Sequence, residues 1–259
     1  MTAAREEVEA KLIVCGAAPA RIADALAAAP RLDGYALGPV QARTLRDTYL
    51  DTPARALGDV RFALRIRRCD GEAWIALKGP DRGAGFEGAV RRSELELPWS
   101  DASLRRVTAA LGEAGVRLEG PAGPAAGDPV ATLEACGLAV IQDRETHRRV
   151  RDVRDAAGAS LAELAIDCVH HRLGDREVQL FEVEVEVTGE SDPLHAIVRA
   201  LEARYPQDLR RWPHDKLATG LALQRICEAG GLDPLVRADS SLRPEGYAAI
   251  DRELRERGP

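Results

Sequence analysis

Long apolar runs are missing from this 259-residue sequence. No stretch of about 18 consecutive uncharged apolar residues occurs, so we expect no membrane-spanning helix and no membrane partner. The N-terminus enters a charged segment within a few residues and lacks the apolar core of a signal peptide. These two features predict a cytoplasmic protein.

Cysteine is sparse and scattered along the chain. Five cysteines occur, and no two of them are spaced as Cys-x-x-Cys. An odd number without paired spacing argues against both a structural zinc site and a disulfide framework. Reduced cysteines agree with the expected cytoplasmic location.

Lysine is rarer still, because only Lys11, Lys78 and Lys216 are lysines among the 36 Lys and Arg residues. Arginine serves as the generic cation elsewhere, so these positions indicate sites that need a compact point charge instead of a planar fork. The net charge of −6 disfavours binding of nucleic acids by bulk electrostatic attraction, and we expect no nucleic-acid partner.

Charged residues recur at every second position in several β-prone segments. These segments are Glu7-Val8-Glu9-Ala10-Lys11, Arg65-Ile66-Arg67, Glu94-Leu95-Glu96 and Glu182-Val183-Glu184-Val185-Glu186. Side chains alternate between the two faces of a strand, so each segment presents one charged face. Several strands of this kind favour a barrel with a charged interior.

About eight mainly antiparallel strands, accompanied by helices, are predicted along the chain. They favour the α+β class, with an eight-stranded antiparallel closed β-barrel and helices packed outside. We predict strands over residues 6–15, 36–51, 62–69, 72–78, 90–97, 138–153, 161–170 and 178–188, and helices over residues 19–29, 53–58, 103–115, 130–136, 192–204 and 215–229. Residues 5–229 are interpreted as one domain. Residues 230–259 are interpreted as a tail or linker outside the core, and residues 120–129 as a flexible excursion.

Unpaired buried charges are strongly destabilising, so a charged interior needs a ligand that pairs with its charges. The acidic candidates are Glu7, Glu9, Glu94, Glu163, Asp167, Glu182 and Glu184, and the basic candidates are Lys11, Arg65, Arg67, Lys78, Arg148 and Lys216. Clusters of both signs favour a polyphosphate accompanied by Mg²⁺ or Mn²⁺, because basic groups bind phosphates and carboxylates bind hard cations. A metal could then orient water for attack on phosphorus.

Several motifs, taken in order, resemble the CYTH family, also called the triphosphate tunnel metalloenzymes. The matching segments are Glu7-Val8-Glu9-Ala10-Lys11 (E-x-E-x-K), Tyr49-Leu50-Asp51-Thr52-Pro53 (Y-x-D-T-P), Leu64-Arg65-Ile66-Arg67 (L-R-x-R), Leu77-Lys78-Gly79, then Arg148, Glu163, Asp167, Glu182 and Glu184, and finally Lys216 with Gly220-Leu221. The resemblance covers about residues 5–227. It departs from the family in the closing segment, which lacks the usual Ser before Lys216 and the usual Arg before Gly220.

The resemblance implies a triphosphate substrate held in a tunnel together with a divalent metal, Mg²⁺ or Mn²⁺. By this carry-over the phosphate-binding residues are Lys11, Arg65, Arg67, Lys78, Arg148 and Lys216. The metal-side residues are Glu7, Glu9, Glu182 and Glu184, with Glu94, Glu163 and Asp167 as further acidic candidates. Glu7, Glu9 and Lys11 are the catalytic candidates, and no general base is assigned. Arg149 is the alternative to Arg148.

The favoured function is hydrolysis of inorganic triphosphate (tripolyphosphate) to pyrophosphate and phosphate. The alternatives are thiamine triphosphatase or adenylate cyclase activity in the same tunnel, or a non-catalytic polyphosphate-binding module. The sequence leaves the choice between monomer and homodimer open. Arg144 and Arg151 are interpreted as surface residues that form ion pairs.

Overall fold

The structure is a computed structural model that describes residues 5–118, 127–187 and 192–257. Eleven strands are found in these ranges: β1 (Arg5–Val14), β2 (Arg31–Leu32), β3 (Tyr35–Leu37), β4 (Gln41–Asp51), β5 (Ala63–Cys69), β6 (Glu72–Lys78), β7 (Ala89–Pro98), β8 (Ala139–Arg154), β9 (Ser160–Leu173), β10 (Arg176–Val187) and β11 (Leu209–Arg211). Most of the predicted excursion at 120–129 lies outside the described residues.

Seven α-helices and one 3₁₀ helix are found in the same ranges. They are α1 (Pro19–Ala28), α2 (Ala56–Asp59), α3 (Asp101–Glu113), α4 (Pro129–Glu134), α5 (Asp192–Arg204), α6 (Lys216–Glu228), the 3₁₀ helix Asp233–Leu235 and α7 (Pro244–Arg257). No helix among the described residues is long and apolar enough to cross a membrane.

The eight long strands form a closed antiparallel barrel, as the charge alternation predicted. Around the barrel the strands are hydrogen-bonded in the order β8, β4, β5, β6, β7, β1, β10 and β9, and β9 pairs in turn with β8. The short strand β3 extends the end of β8, and β11 pairs with β1. The helices lie outside this barrel.

Local sequence signals explain where most elements begin and end. Asp70 and Gly71 form the two-residue turn between β5 and β6, and both have positive φ, as this type of hairpin turn requires. The Ser100 side chain accepts a hydrogen bond from the Ser103 N–H and caps the start of α3. Most predicted bounds agree with the structure to within three residues.

One predicted strand, over residues 36–51, is instead two strands. Gly38 donates its N–H to the Asp152 carbonyl oxygen at 2.8 Å and ends β3. Pro39 follows and has no N–H to offer a ladder, so regular pairing resumes only at β4.

Packing divides the described residues into two compact units. The described residues within 1–6, 45–82 and 92–144 form one, which we call the Arg65 unit, and those within 7–44, 83–91 and 145–259 form the other, which we call the Lys11 unit. The core of the Arg65 unit places Leu64 and Ile66 of β5 against Leu104 and Val107 of α3.

The Lys11 unit has two apolar clusters. In the first, alternate residues of β1 and β10, such as Val8 and Val183, pack with α1 and α5. In the second, α6 and α7 pack together, and Tyr247, Ile250 and Leu254 of α7 are buried. This packing corrects the interpretation of residues 230–259 as lying outside the core. The predicted domain boundary at residue 229 itself stays a prediction.

Candidate active site

Strands β1 and β10 bring acidic and basic side chains together in the Lys11 unit. They pair antiparallel, with Lys11 opposite Glu184 and Glu9 opposite Glu186. Directly opposed residues point to the same side of a sheet, so the charged faces of the two strands form one surface. The alternate residues, such as Val8, pack into the apolar cluster under α1 and α5. The charged surface is therefore the face opposite these helices.

Glu184 is the meeting point of the cations of this surface. Its carboxylate lies 3.4 Å from Lys11 Nζ and 2.6 Å from Arg148 Nη2, and it accepts a short hydrogen bond from Lys216 Nζ. Burial disfavours the charged form of Glu184, but Lys216, Lys11 and Arg148 outweigh burial and hold its pKa well below the usual value. Three of the predicted phosphate-binding residues thus converge on one carboxylate.

Arg148 and Asp167 form the most regular contact of the cluster. Arg148 Nε and Nη2 lie 2.8 and 2.6 Å from the two carboxylate oxygens of Asp167, a two-point geometry that only arginine offers. Burial alone would lower the pKa of Arg148, but Asp167 and Glu184 raise it well above its ordinary value. Arg149 instead points away and bonds Asp24 of α1 at 2.7 Å. The structure therefore assigns the charged face to Arg148.

Lys216 enters the cluster from the first residue of α6. The Asp215 side chain accepts the Ala218 N–H at 2.7 Å and caps this helix, which fixes the backbone immediately before Lys216. Lys216 Nζ lies 3.0 Å from Asp167 and 3.2 Å from Glu182. Burial opposes the charge, but Glu184, Asp167 and Glu182 raise the pKa of Lys216 above its ordinary value, so the amine stays protonated.

The carboxylates of the Lys11 unit have the chemistry of a hard-metal site. Glu7 and Glu9 are buried on β1, and the buried Glu182 Oε2 lies 3.2 Å from Lys216 Nζ and 3.8 Å from Lys11 Nζ. Among residues 5–118, 127–187 and 192–257, no three acidic, histidine or cysteine side chains already surround one point that could hold a metal. Mg²⁺ is usually held by one or two carboxylates together with substrate phosphates, so the donors fit a metal that arrives with its substrate.

The Arg65 unit carries a second charged cluster, centred on Asp47 of β4. Arg67 donates from Nε and Nη2 to the two Asp47 oxygens at 2.8 and 2.9 Å, and Arg65 Nη1 lies 3.8 Å from the same carboxylate. Burial would raise the pKa of Asp47, but Arg67 and Arg65 hold it well below its ordinary value. Sequence patterns did not identify Asp47, since it is not part of a period-two run of charges.

Glu94 and Glu96 of β7 form ion pairs with the predicted cations of this unit. Glu94 lies 3.5 Å from both Arg65 and Lys78, and Glu96 lies 3.4 Å from Arg67. Glu94 pairs opposite Lys78 in the sheet, so this contact follows directly from the register of β6 and β7. All three predicted cations of this unit therefore have carboxylate partners.

Arg144 is also part of the cluster, and its interpretation as a surface residue is wrong. Its side chain is fully buried, lies 3.3 Å from Asp47 and donates a short hydrogen bond to the Tyr49 hydroxyl. Arg65 reaches the same hydroxyl at 3.3 Å. Burial raises the pKa of Tyr49, but Arg144 and Arg65 outweigh it, and the net shift is downward. The position of Tyr49 in the Y-x-D-T-P motif was the only sequence signal for this group.

Two further expectations are corrected or limited by the structure. Arg151 is buried and donates to backbone carbonyls of Ala27 and Gly38 at 2.8 and 2.7 Å, so it closes the end of α1 instead of forming surface ion pairs. Glu163 lies on β9 opposite Glu186 but is exposed. Its role as a metal-side residue stays a prediction.

Sequence similarity to a protein-family model decides the family. The chain matches the model of the CYTH domain over residues 5–208. It belongs to the CYTH family. The resemblance inferred from the motifs is thus confirmed, and membership implies an association with a divalent metal. The match ends before Lys216 and the C-terminal helices. No curated protein matches the sequence.

Two solved structures are similar to this chain. The chain is similar to HpAC1 of Hippeastrum, named as a candidate adenylyl cyclase with a dominant triphosphatase activity, at 18% identity and a TM-score of 0.54, over 88% of this chain and 98% of that one. It is also similar to a candidate adenylate cyclase of Bacillus halodurans, at 18% identity and a TM-score of 0.48, over 83% and 96% of the two chains. At these identities the likeness concerns the fold alone.

Proposed function

We propose that this CYTH protein hydrolyses a small triphosphate, with inorganic tripolyphosphate as its substrate, to pyrophosphate and phosphate. The observation that carries the proposal is the convergence of Lys11, Arg148 and Lys216 on the buried Glu184. Three cations lie here among three carboxylates, so phosphate oxygens could bind the cations while a divalent metal binds the carboxylates. The pKa of Lys216 is raised, so its charge persists at neutral pH.

The proposal gives the cations of both clusters the task of binding phosphate. The phosphate-binding residues would be Lys11, Arg65, Arg67, Lys78, Arg148 and Lys216. Within each cluster, phosphate oxygens would compete with the carboxylates for these side chains, because they accept the same charge-assisted hydrogen bonds. Arg67 and Arg148 are already held in two-point geometry by Asp47 and Asp167, which orders their planar groups before substrate arrives.

The acidic residues of the Lys11 unit would hold the metal. Glu7, Glu9, Glu182 and Glu184 would be its ligands, directly or through water, and Glu163 and Asp167 of the same unit are further candidates. Glu94, which belongs to the Arg65 unit, stays a separate acidic candidate. When bound, a divalent metal neutralises phosphate oxygens and orients an attacking water. Glu7, Glu9 and Lys11 would position the reacting phosphate and its water, and we assign no residue as general base.

The test is phosphate release from tripolyphosphate with Mg²⁺ and with Mn²⁺, set beside ATP and thiamine triphosphate under the same conditions. We expect rapid release from tripolyphosphate, little from ATP, and loss of release in Glu9→Ala and Lys11→Ala. Release from thiamine triphosphate alone, or cyclic AMP formed from ATP, would replace the substrate assignment. No turnover with any compound, together with tight binding of long polyphosphate, would contradict the proposed enzymatic activity and favour a polyphosphate-binding module.

A further inference from the structure

The C-terminal helix α7 lies beyond the residues that match the CYTH model, yet it contacts the segment that carries Lys216. Asp251 Oδ1 of α7 is 2.9 Å from His214 Nε2, and His214 precedes Lys216 by two residues. Neither side chain is far from the surface, since His214 is 20% and Asp251 28% exposed. The contact therefore joins α7 to the backbone that leads into the charged cluster.

The same segment also touches Lys11. The carbonyl oxygen of His214 accepts a hydrogen bond from Lys11 Nζ at 3.4 Å, and the Trp212 N–H donates to the Lys11 carbonyl at 2.9 Å. The Trp212 indole N–H donates to Thr219 in the second turn of α6 at 3.0 Å. Residues 212–216, which we call the Lys216 segment, thus hold both ends of Lys11 and the start of α6.

The helix α7 and the residues before it are also attached to β10. The Gln179 N–H donates to the Ser240 carbonyl at 2.8 Å, and the Leu242 N–H donates back to Gln179 at 3.0 Å. The Tyr247 hydroxyl accepts the Phe181 N–H at 3.4 Å. Phe181 immediately precedes Glu182, so the anchor of α7 lies at the strand that carries the carboxylate partners of Lys216.

Apolar packing holds α7 against its neighbours. Tyr247, Ile250 and Leu254 form the buried stripe of α7, and Trp212 packs edge-on to the Tyr247 ring at a centroid distance of 5.7 Å. Asp251 follows Ile250 and lies at the margin of this stripe, which orients its carboxylate toward His214. A loose tail could not present Asp251 at a fixed place.

We propose that α7 is a positioning element of the candidate active site and that His214 and Asp251 are its positioning residues. Through their contact α7 fixes the Lys216 segment, and with it the amines of Lys216 and Lys11, against the carboxylates of β10. The proposal rests on the proposed function for its effect on turnover, but its effect on the backbone stands apart from any substrate.

The first measurement is amide hydrogen exchange of residues 212–219 in the full chain and in Asp251→Ala. We expect the amides of residues 212–219 to exchange about tenfold faster or more, as loss of a hydrogen bond to a carboxylate implies. His214→Ala removes the other partner of this contact and should accelerate exchange of the same residues. Arg255→Ala is the matched control, because Arg255 pairs with Asp251 at 3.0 Å on the helix surface without reaching the segment.

The second measurement is tripolyphosphate turnover and binding by the same variants. We expect Asp251→Ala to raise the KM about tenfold with a smaller fall in kcat, since the phosphate-binding amines are displaced while the carboxylates of β10 stay in place. Asp251→Asn, which keeps an acceptor for His214, should restore much of the loss. Arg255→Ala should behave as the unmodified protein.

The outcomes separate this proposal from the proposed function. Unchanged exchange of residues 212–219 in both Asp251→Ala and His214→Ala overturns the positioning role, whatever the activity. If the unmodified protein releases no phosphate, the proposed function fails, and hydrogen exchange alone decides the role of α7. Should Asp251→Ala fail to fold, His214→Ala decides the question, because it leaves every side chain of α7 in place.

Discussion

Arg148 and Asp167 meet in a two-point contact in which Arg148 Nε and Nη2 lie 2.8 and 2.6 Å from the carboxylate oxygens. Neighbouring Arg149 makes its contact with Asp24 on α1 instead. Two adjacent arginines of one strand therefore point to opposite sides of the barrel wall, as the pleat of a strand requires. This difference provides a matched pair of variants.

We expect Arg148→Ala to lower kcat/KM for tripolyphosphate by about 100-fold, the effect typical of removing one preorganised charge donor from an active site. Arg149→Ala should change it less than about twofold, since an exposed ion pair contributes little. Steady-state kinetics of both variants, with circular dichroism to verify folding, makes the comparison. Equal losses in the two variants would contradict the assignment of Arg148 to the site.

Lys216→Arg keeps the positive charge but should lower turnover by at least about tenfold. Lys216 Nζ fits among Asp167, Glu182 and Glu184 as a point charge, and the wider guanidinium does not fit the same volume without displacing them. Phosphate release under saturating Mn²⁺ measures the effect. Arg172→Lys, at an exposed position of β9, is the control and should be neutral. Full activity of Lys216→Arg would show that this position does not require lysine.

Asp47 should make the stability of the protein depend on acidic pH. Its pKa is held below the ordinary value by Arg67 and Arg65, so its contribution is fully present above about pH 4, the ordinary carboxyl pKa. That contribution is lost as the pH falls below about 4 toward the lowered value in the folded protein. Urea unfolding between about pH 2 and 6 should show a smaller fall in stability for Asp47→Asn. An identical slope in both proteins would show that Asp47 does not titrate in this way.

Ile250→Ala should lower the free energy of unfolding by about 2–5 kcal/mol, because Ile250 is fully buried between α7 and its neighbours. Arg252→Ala, at an exposed position of the same helix, should change it by less than about 0.5 kcal/mol. Chemical denaturation followed by tryptophan fluorescence compares the two. A small loss for Ile250→Ala would mean that α7 is not part of the cooperative core.

Local patterns along the chain were enough to predict most strands and their charged faces. Alternation has a period of two residues, so Glu7, Glu9 and Lys11 had to share one side of β1 wherever that strand was placed. The Asp70-Gly71 turn and the Pro19 start of α1 were equally local, because they depend on backbone preferences of the residues themselves. The ordered motifs then sufficed to indicate the CYTH family, which the family match confirms.

Which charges are buried, and which partners they have, could be seen only in the folded protein. Arg144 and Arg151 look like ordinary surface residues in the sequence, and their burial depends on Tyr49 and on the end of α1, which are distant along the chain. The same holds for α7, because its apolar stripe is buried only where α6 and β10 pack against it. Burial is a property of contacts between distant segments, whereas alternation is a property of neighbours. For that reason the sequence specified the charged faces, and the fold specified their partners.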